Sequence, residues 1–360
     1  MKFTYVILLL CYLAVPSFAQ DSLNISSDIS DKIEWEAFPI LTYDTDAGFG
    51  YGLKGYLRNI FAKKESYDII LYNSTKGERW YRFQFSYPDY EIRQGTDYGY
   101  AIDITADYDK WISYYFYGIG NNSYYDNRKI YTREPLELSF IISRTLTTSL
   151  ILQAGLKFTS VKYTDFPKVL LPSGEFHNRV EKFSLLINAL YDTRNSIINP
   201  SGGMSLSAGF ETAPSFYSPG TKLSKAALTL QSYHKIIVNE LILAERITLQ
   251  ELIGNNIPVQ FLLPIGGNQS LRGYPQDRYL DKSFSLINAE LRFLIWWRFG
   301  GIAGIDAGRV FSSLGRFSFA DWRISPAAGL RFYMDNFIVR ADFGFSDETI
   351  GFYFNFGHLF

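Results

Sequence analysis

The sequence predicts an all-β protein: a 16-stranded transmembrane antiparallel β-barrel, whose one long loop is placed in the lumen by the resemblance given below. Three observations predict it. A secretory leader opens the chain, and period-two alternation recurs along the rest of it. No stretch after the leader holds the roughly 18 consecutive apolar residues that a spanning helix needs.

The leader is read at residues 1–19. Met1-Lys2 gives the positive start, Tyr5 to Leu13 the apolar run, and Ser17-Phe18-Ala19 the small-x-small cleavage signal, so that Gln20 would open the mature chain. The chain's single cysteine is Cys11, and Leu10 before it does not suit lipidation. The expected mature chain therefore has no thiol for a disulfide, a metal or a nucleophile. Charge is balanced, 35 Lys+Arg against 36 Asp+Glu, which excludes an electrostatic nucleic-acid binder. His177, His234 and His358 are far apart and lack metal-ligand spacing. Gly48-x-Gly50-x-Gly52 is not followed by a helix, and neither G-x-S-x-G nor H-E-x-x-H occurs. The expectation is no metal, no cofactor and no enzyme.

Residues 20–44 read as a short periplasmic N-terminal segment, within which Trp35 to Tyr43 could instead form a strand or enter the lumen. Residues 45–360 read as the barrel. Strands are expected at 48–59, 66–74, 79–87, 97–108, 111–118, 131–146, 148–163, 180–193, 203–215, 223–237, 240–252, 283–296, 300–312, 323–333, 336–345 and 349–360. The last is the clearest: Phe352, Phe354, Phe356, His358 and Phe360 alternate with Tyr353, Asn355, Gly357 and Leu359. A soluble sandwich, apolar inside and polar outside, is the alternative. The 18% of aromatic residues, gathered at strand ends, and the Gly, Ser, Asn and charged residues of the polar face suit a lipid-facing girdle around a wet lumen instead. Short periplasmic turns are expected at 74–77, 108–110, 239–240, 298–300 and 334–336, and longer loops at 119–130, 164–179 and 253–282. The seam is expected between strand 48–59, rich in glycine at Gly48, Gly50, Gly52 and Gly55, and the last strand with Gly357. Those glycines either weaken the seam or merely permit curvature.

Parity places Glu290 and Asp306 on the luminal face of neighbouring strands, with Gly304 and Gly308 leaving a notch beside Asp306. The loop just before them carries Arg272, whose guanidinium suits two carboxylates. The alternative is a solvated loop arginine.

Leu271-Arg272-Gly273-Tyr274 resembles the Arg-Gly-aromatic tip of the sixth extracellular loop in the BamA/TamA and two-partner-secretion superfamily, the bacterial surface antigen barrels. Four further matches fall in the family's order. Asp192 and Arg194, followed by Pro200 and Gly203, look like its periplasmic turn after the eighth strand. Asn288-Ala289-Glu290-Leu291-Arg292 looks like its twelfth strand, and Gly304-Ile305-Asp306-Ala307-Gly308 like its thirteenth. Phe352, Phe354, Phe356, Gly357 and Phe360 look like its C-terminal insertion signal. The likeness is strong over 191–360 and diffuse over 45–190. It implies an outer-membrane barrel in contact with lipid, and a luminal loop lock of Arg272, Gly273, Tyr274, Glu290, Asp306 and Gly308. It also implies a role in inserting or translocating proteins or lipids, with a client protein or a separate periplasmic partner. The family's assembly and secretion members carry periplasmic POTRA domains. About 25 mature residues precede the first expected strand, too few for such a domain, so a POTRA-less member is expected. A passive pore or structural barrel is the second reading, and an outer-membrane enzyme the third.

Overall fold

The computed structural model describes residues 33–93, 95–168, 176–214, 222–237, 241–334 and 337–360. The expected leader and residues 20–32 lie outside the described residues, as do Asn239-Glu240 and Asp335-Asn336 of two expected turns.

The strands are β1 (Glu34–Asp44), β2 (Gly48–Arg58), β3 (Ser66–Ser74), β4 (Glu78–Tyr87), β5 (Ala101–Phe116), β6 (Lys129–Thr147), β7 (Leu150–Thr164), β8 (Arg179–Asp192), β9 (Gly203–Ala213), β10 (Leu223–Lys235), β11 (Leu241–Ile253), β12 (Leu263–Ile265), β13 (Tyr279–Asp281), β14 (Ser283–Trp296), β15 (Phe299–Phe311), β16 (Arg323–Tyr333), β17 (Ile338–Phe345) and β18 (Ile350–Phe356). Among the described residues, 16 of them close into one antiparallel barrel, in which each strand pairs with its chain neighbours and β1 meets β18. β12 and β13 pair separately, inside the segment that joins β11 to β14.

Alternation gives the barrel an apolar outside and a polar inside. On β8, Lys182 and Ser184 are buried inward, while Leu185 and Ile187 are 50% and 62% exposed outward. The same holds on β17, where Arg340 and Asp342 are buried and Phe343 faces out. That is the arrangement a bilayer demands and the reverse of a soluble sandwich.

The expected strand count survives through two errors that cancel. Residues 34–44 are barrel strand β1, not a periplasmic segment. Pro39 lies within it, and a proline cannot donate to a ladder. It is tolerated because it faces Leu53 of β2 and has no residue of β18 paired to it on the other side. Conversely, 97–108 and 111–118 are one strand, β5. Asp109 and Lys110 resembled a turn, but each has a charge opposite on β6: Arg133 lies 3.8 Å from Asp109, and Glu134 3.5 Å from Lys110. The register shifts between Trp111 and Tyr114 absorb the irregularity.

Two further expectations change with the strand order. The 75–77 connection lies at the same end of the barrel as the 254–282 loop, because an extra strand precedes it. Short and long connections also mix. The loop end holds the tight 45–47 and 75–77 hairpins, and the opposite end, where β1 begins and β18 finishes, holds the long 88–100 connection. Strand 48–59 is not at the seam. Its Gly50 instead makes room for Tyr72, whose Oη lies 2.1 Å from where a Cβ would stand.

The true seam is narrow. β1 and β18 pair only at Tyr43 with Phe354 and Asp44 with Tyr353, continued by Thr45 against Phe352. β1 and β2 pair along all of 34–44. Each ladder hydrogen bond adds on the order of 1 kcal/mol, so the unpaired flank of β1 is the least supported edge. Hydrogen exchange in lipid should show amides of 34–41 exchanging at least tenfold faster than those of 284–292. Equal protection would mean the seam pairs further than these contacts.

Candidate functional site

The segment 254–282 turns inward from the loop end and fills the lumen beside β14–β18. Its apolar residues do most of this. Phe261, Leu262, Leu263, Ile265 and Leu271 join Tyr274 and Tyr279 in one cluster with Leu252, Phe284, Leu286 and Val310 of the wall. Burial of such side chains stabilises by roughly 1.5–3 kcal/mol each, against an ordering cost of roughly 1–2 kcal/mol per fixed residue.

The tip is shaped by glycine. Gly273 has φ +92°, and a Cβ there would stand 2.7 Å from the backbone of Gly344 on β17. A Cβ on Gly344 would in turn stand 2.4 Å from the Arg272 carbonyl carbon and the Gly273 nitrogen. Loop and strand therefore touch backbone to backbone. Gly304 leaves room for the Arg272 guanidinium, and Gly308 for Ile265.

Arg272 is completely buried. Its Nε and Nη2 donate to the two oxygens of Asp306 at 2.8 and 3.0 Å, and its backbone N–H donates to Asp306 Oδ2 at 3.1 Å. Nη1 donates to Glu290 Oε1 at 2.8 Å and to Asp342 Oδ2 at 3.1 Å. The Arg272 carbonyl accepts from Ser325. Each acid is held in turn. Asn288 donates to Asp306 Oδ1 at 2.8 Å and to the Ser270 carbonyl at 2.7 Å. Arg292 Nε donates to Glu290 at 2.9 Å, and Arg331 pairs with Asp342. Buried charges are tolerated when matched this closely, and bidentate forks give the geometry.

The structure thus brings Arg272, Glu290 and Asp306 together. Gly273 lies at the tip and Gly308 beneath Ile265. Tyr274 is apart from the acids: its hydroxyl donates to Asp347 at 2.7 Å and its ring packs on Tyr279. Sequence reasoning missed Asp342 and Tyr353, whose hydroxyl accepts from the Gly273 N–H at 3.0 Å. The signal was present, since Arg340, Asp342 and Gly344 share a face opposite Phe343 and Phe345.

The loop also reaches across the seam. On the β1 side, Asn268 donates to Asp44 at 2.9 Å, and the Gln276 N–H donates to Asp46 at 2.9 Å. On the β18 side it holds Tyr353, and Arg278 forks onto Glu348 at 2.6 Å.

The 192–203 motif and the last residues of the chain lie at the opposite end. Arg194 folds back on Asp192, with Nη2 2.7 Å from Oδ2. Gly203 has φ +92°, with the Thr193 carbonyl 2.2 Å from a would-be Cβ, and Pro200 is buried. Phe352, Phe354 and Phe356 point outward as expected; Phe360 does not. Gly357, at φ +77°, ends the ladder and breaks the alternation. The Phe360 ring then sits 5.1 Å from both Arg246 and Arg292, and its terminal carboxyl oxygen accepts from Arg292 at 2.8 Å. His358 likewise leaves the outer face and meets Asn199 at 3.0 Å.

The close approach at the tip is testable without touching a charge. Gly344→Ala should displace the loop and lower the thermal midpoint by several degrees, whereas Gly55→Ala, whose Cβ would meet nothing within 4 Å, should leave it within about a degree. Thermal unfolding of the detergent-solubilised barrel checks both.

The Omp85 superfamily domain matches residues 68–360. Among solved structures, the fold is similar to BamA from Haemophilus ducreyi lacking POTRA domains 1–3, at TM-score 0.63 and 13% identity over 90% of this chain and 70% of that one. It is also similar to CdiB from Acinetobacter baumannii (TM-score 0.57, 14% identity, 91% of this chain and 66% of that one) and to CdiB from Escherichia coli (0.62, 13%, 90% and 63%). The chain thus spans about two thirds of the length of these structures. No curated protein matches it. A barrel of this closure, with a family match running from β3 to the last residue, makes the chain a member of the Omp85 superfamily of the outer membrane.

Proposed function

We propose that this barrel assists the insertion or translocation of proteins or lipids at the outer membrane, without enzymatic chemistry, and that the 254–282 loop is the latch of its seam. In this reading the loop end faces outward and the opposite end the periplasm, where a client or a separate periplasmic partner would arrive. The observation that carries it is the bridging of the seam. β1 and β18 pair directly at two positions, while the loop tip binds Asp44 and Asp46 on one side and Gly344, Tyr353 and Glu348 on the other. A seam held more by a loop than by its own ladder can open when the loop moves. A passive pore fits less well, because the loop and the Arg272 cluster occupy the lumen beside β14–β18.

The experiment closes the seam covalently. Tyr43→Cys with Phe354→Cys, at paired positions, should abolish client insertion into vesicles when oxidised and restore it on reduction. Insertion that proceeds with the seam cross-linked would remove the reading. Single-channel recording separates it from the pore: wild type should show small or flickering conductance, and a large steady conductance without client would favour the pore.

The latch itself is tested at Arg272. Removing the guanidinium leaves three acids facing one another, at a cost of about 3–5 kcal/mol where the site is dry. Arg272→Ala should make 254–282 cleavable by protease added to intact cells, and Asp306→Ala should do the same. Arg272→Lys should restore resistance only in part, since one ammonium cannot fork Asp306 and also reach Glu290 and Asp342. Equal cleavage in wild type and all variants would show that the loop was never held.

A further inference from the structure

The outer surface of the barrel carries a depression over β6 to β11. Its floor is four alanines on successive strands: Ala154, Ala189, Ala208 and Ala226. Ala189 faces Ala208 directly, while Ala154 and Ala226 stand beside them, opposite Ile187 and Phe210. Larger side chains, among them Leu152, Leu185 and Leu228, wall it, and it measures about 1320 Å³. Its surface is almost wholly apolar.

The depression runs obliquely. It follows the row of cross-strand partners from Arg144 through Leu152, Ala189, Ala208 and Leu228 to Leu249. Barrel stagger tilts such a row. Arg144 stands three residues from the end of β6 at Thr147, on the side where the chain termini lie, while Leu249 stands four residues from the loop end of β11 at Ile253. Five inter-strand spacings of about 4.8 Å make the path about 24 Å long.

Arg144 heads this path. It is exposed on the lipid face and lines the depression, and its side chain makes no hydrogen bond, ion pair or ring contact among the described residues. Exposed Leu146 and Tyr100 flank that level of the wall. An arginine at an interface turns its charge toward the headgroups and lays its stem along apolar surface. Alone it would meet any passing anion. Here it stands at the mouth of an acyl-sized channel, which selects a ligand with an anionic head and an apolar tail.

We propose that the channel is a binding site for one glycerophospholipid of the periplasmic leaflet, with its phosphate on Arg144 and an acyl chain along the alanine floor. The choice of leaflet rests on the orientation given under the proposed function; the site itself does not.

Native mass spectrometry of the purified full chain tests it, with three probes offered: a palmitoyl-oleoyl phosphatidylglycerol, the matching diacylglycerol, and inorganic phosphate. Wild type should retain the phospholipid and neither of the others. Arg144→Gln should reduce the retained fraction about tenfold, as expected for losing one charge-assisted phosphate contact, and Arg144→Lys should keep most of it. Ala208→Phe, which fills the floor and leaves Arg144 intact, should reduce retention as well. Arg309→Gln, at the loop end, should change nothing. Heat-modifiable gel mobility confirms folding, and Ala154→Phe replaces Ala208→Phe if that variant does not fold. Retention unchanged in Arg144→Gln or in the filled variant, diacylglycerol held as well as phospholipid, or a second copy of this chain seated on the groove would each overturn the proposal. Seam cross-linking leaves all these readouts untouched, so the site and the latch fail separately.

Discussion

A guanidinium withdrawn from water needs an acceptor for each N–H it turns inward, because an unmatched charge in a low-dielectric interior costs several kcal/mol. Arg272 meets that requirement with acids from three strands, β14, β15 and β17, at 2.8–3.1 Å. Those acids would repel one another if left alone, so Arg292, Arg331 and Arg340 stand around them. Further acceptors serve the surrounding guanidiniums: Arg246 takes the Asn288 side chain and the Gln269 carbonyl, and Arg292 takes the terminal carboxyl oxygen of Phe360. One loop residue thus accounts for the polar choices on several strands of the wall and for the inward turn of the last residues.

The seam depends on the same cluster at one remove. The loop is placed by Arg272 and by the Gly273–Gly344 contact; the Gly273 N–H then meets Tyr353, and the flanks reach Asp44 and Asp46. Apolar burial supplies most of the loop's stability, and the ion pairs set where it sits. Separating these tasks lets register be strict while total stability stays moderate.

Much of this was legible from alternation alone. Parity put Glu290 and Asp306 inward, and an arginine in the preceding loop was the natural complement. Asp342 escaped because it lies far along the chain, two strands from Asp306, and period-two reading says which face a residue takes but not its height on the wall. Register settles height, and only pairing fixes register. The Asp109-Lys110 pair misled because local residue preferences were overruled by what lay across the ladder. Phe360 departed from its neighbours because a single positive-φ glycine resets the alternation, and sequence parity is blind to that.

The strands differ greatly in length. A tilted strand crosses a bilayer in about 9–11 residues, yet β5, β6 and β7 have 16, 19 and 15, while β16, β17 and β18 have 11, 8 and 7. Toward the loop end the outer face of the long strands turns polar, with Lys110 beside Glu134 and Ser160 beside Glu181. The rim is therefore a stepped parapet, high over β5–β7 and low over the 346–349 hairpin. Among the described residues that low stretch of rim stands over the place where the first and last strands join, so a large molecule arriving from that side meets a low wall at the seam.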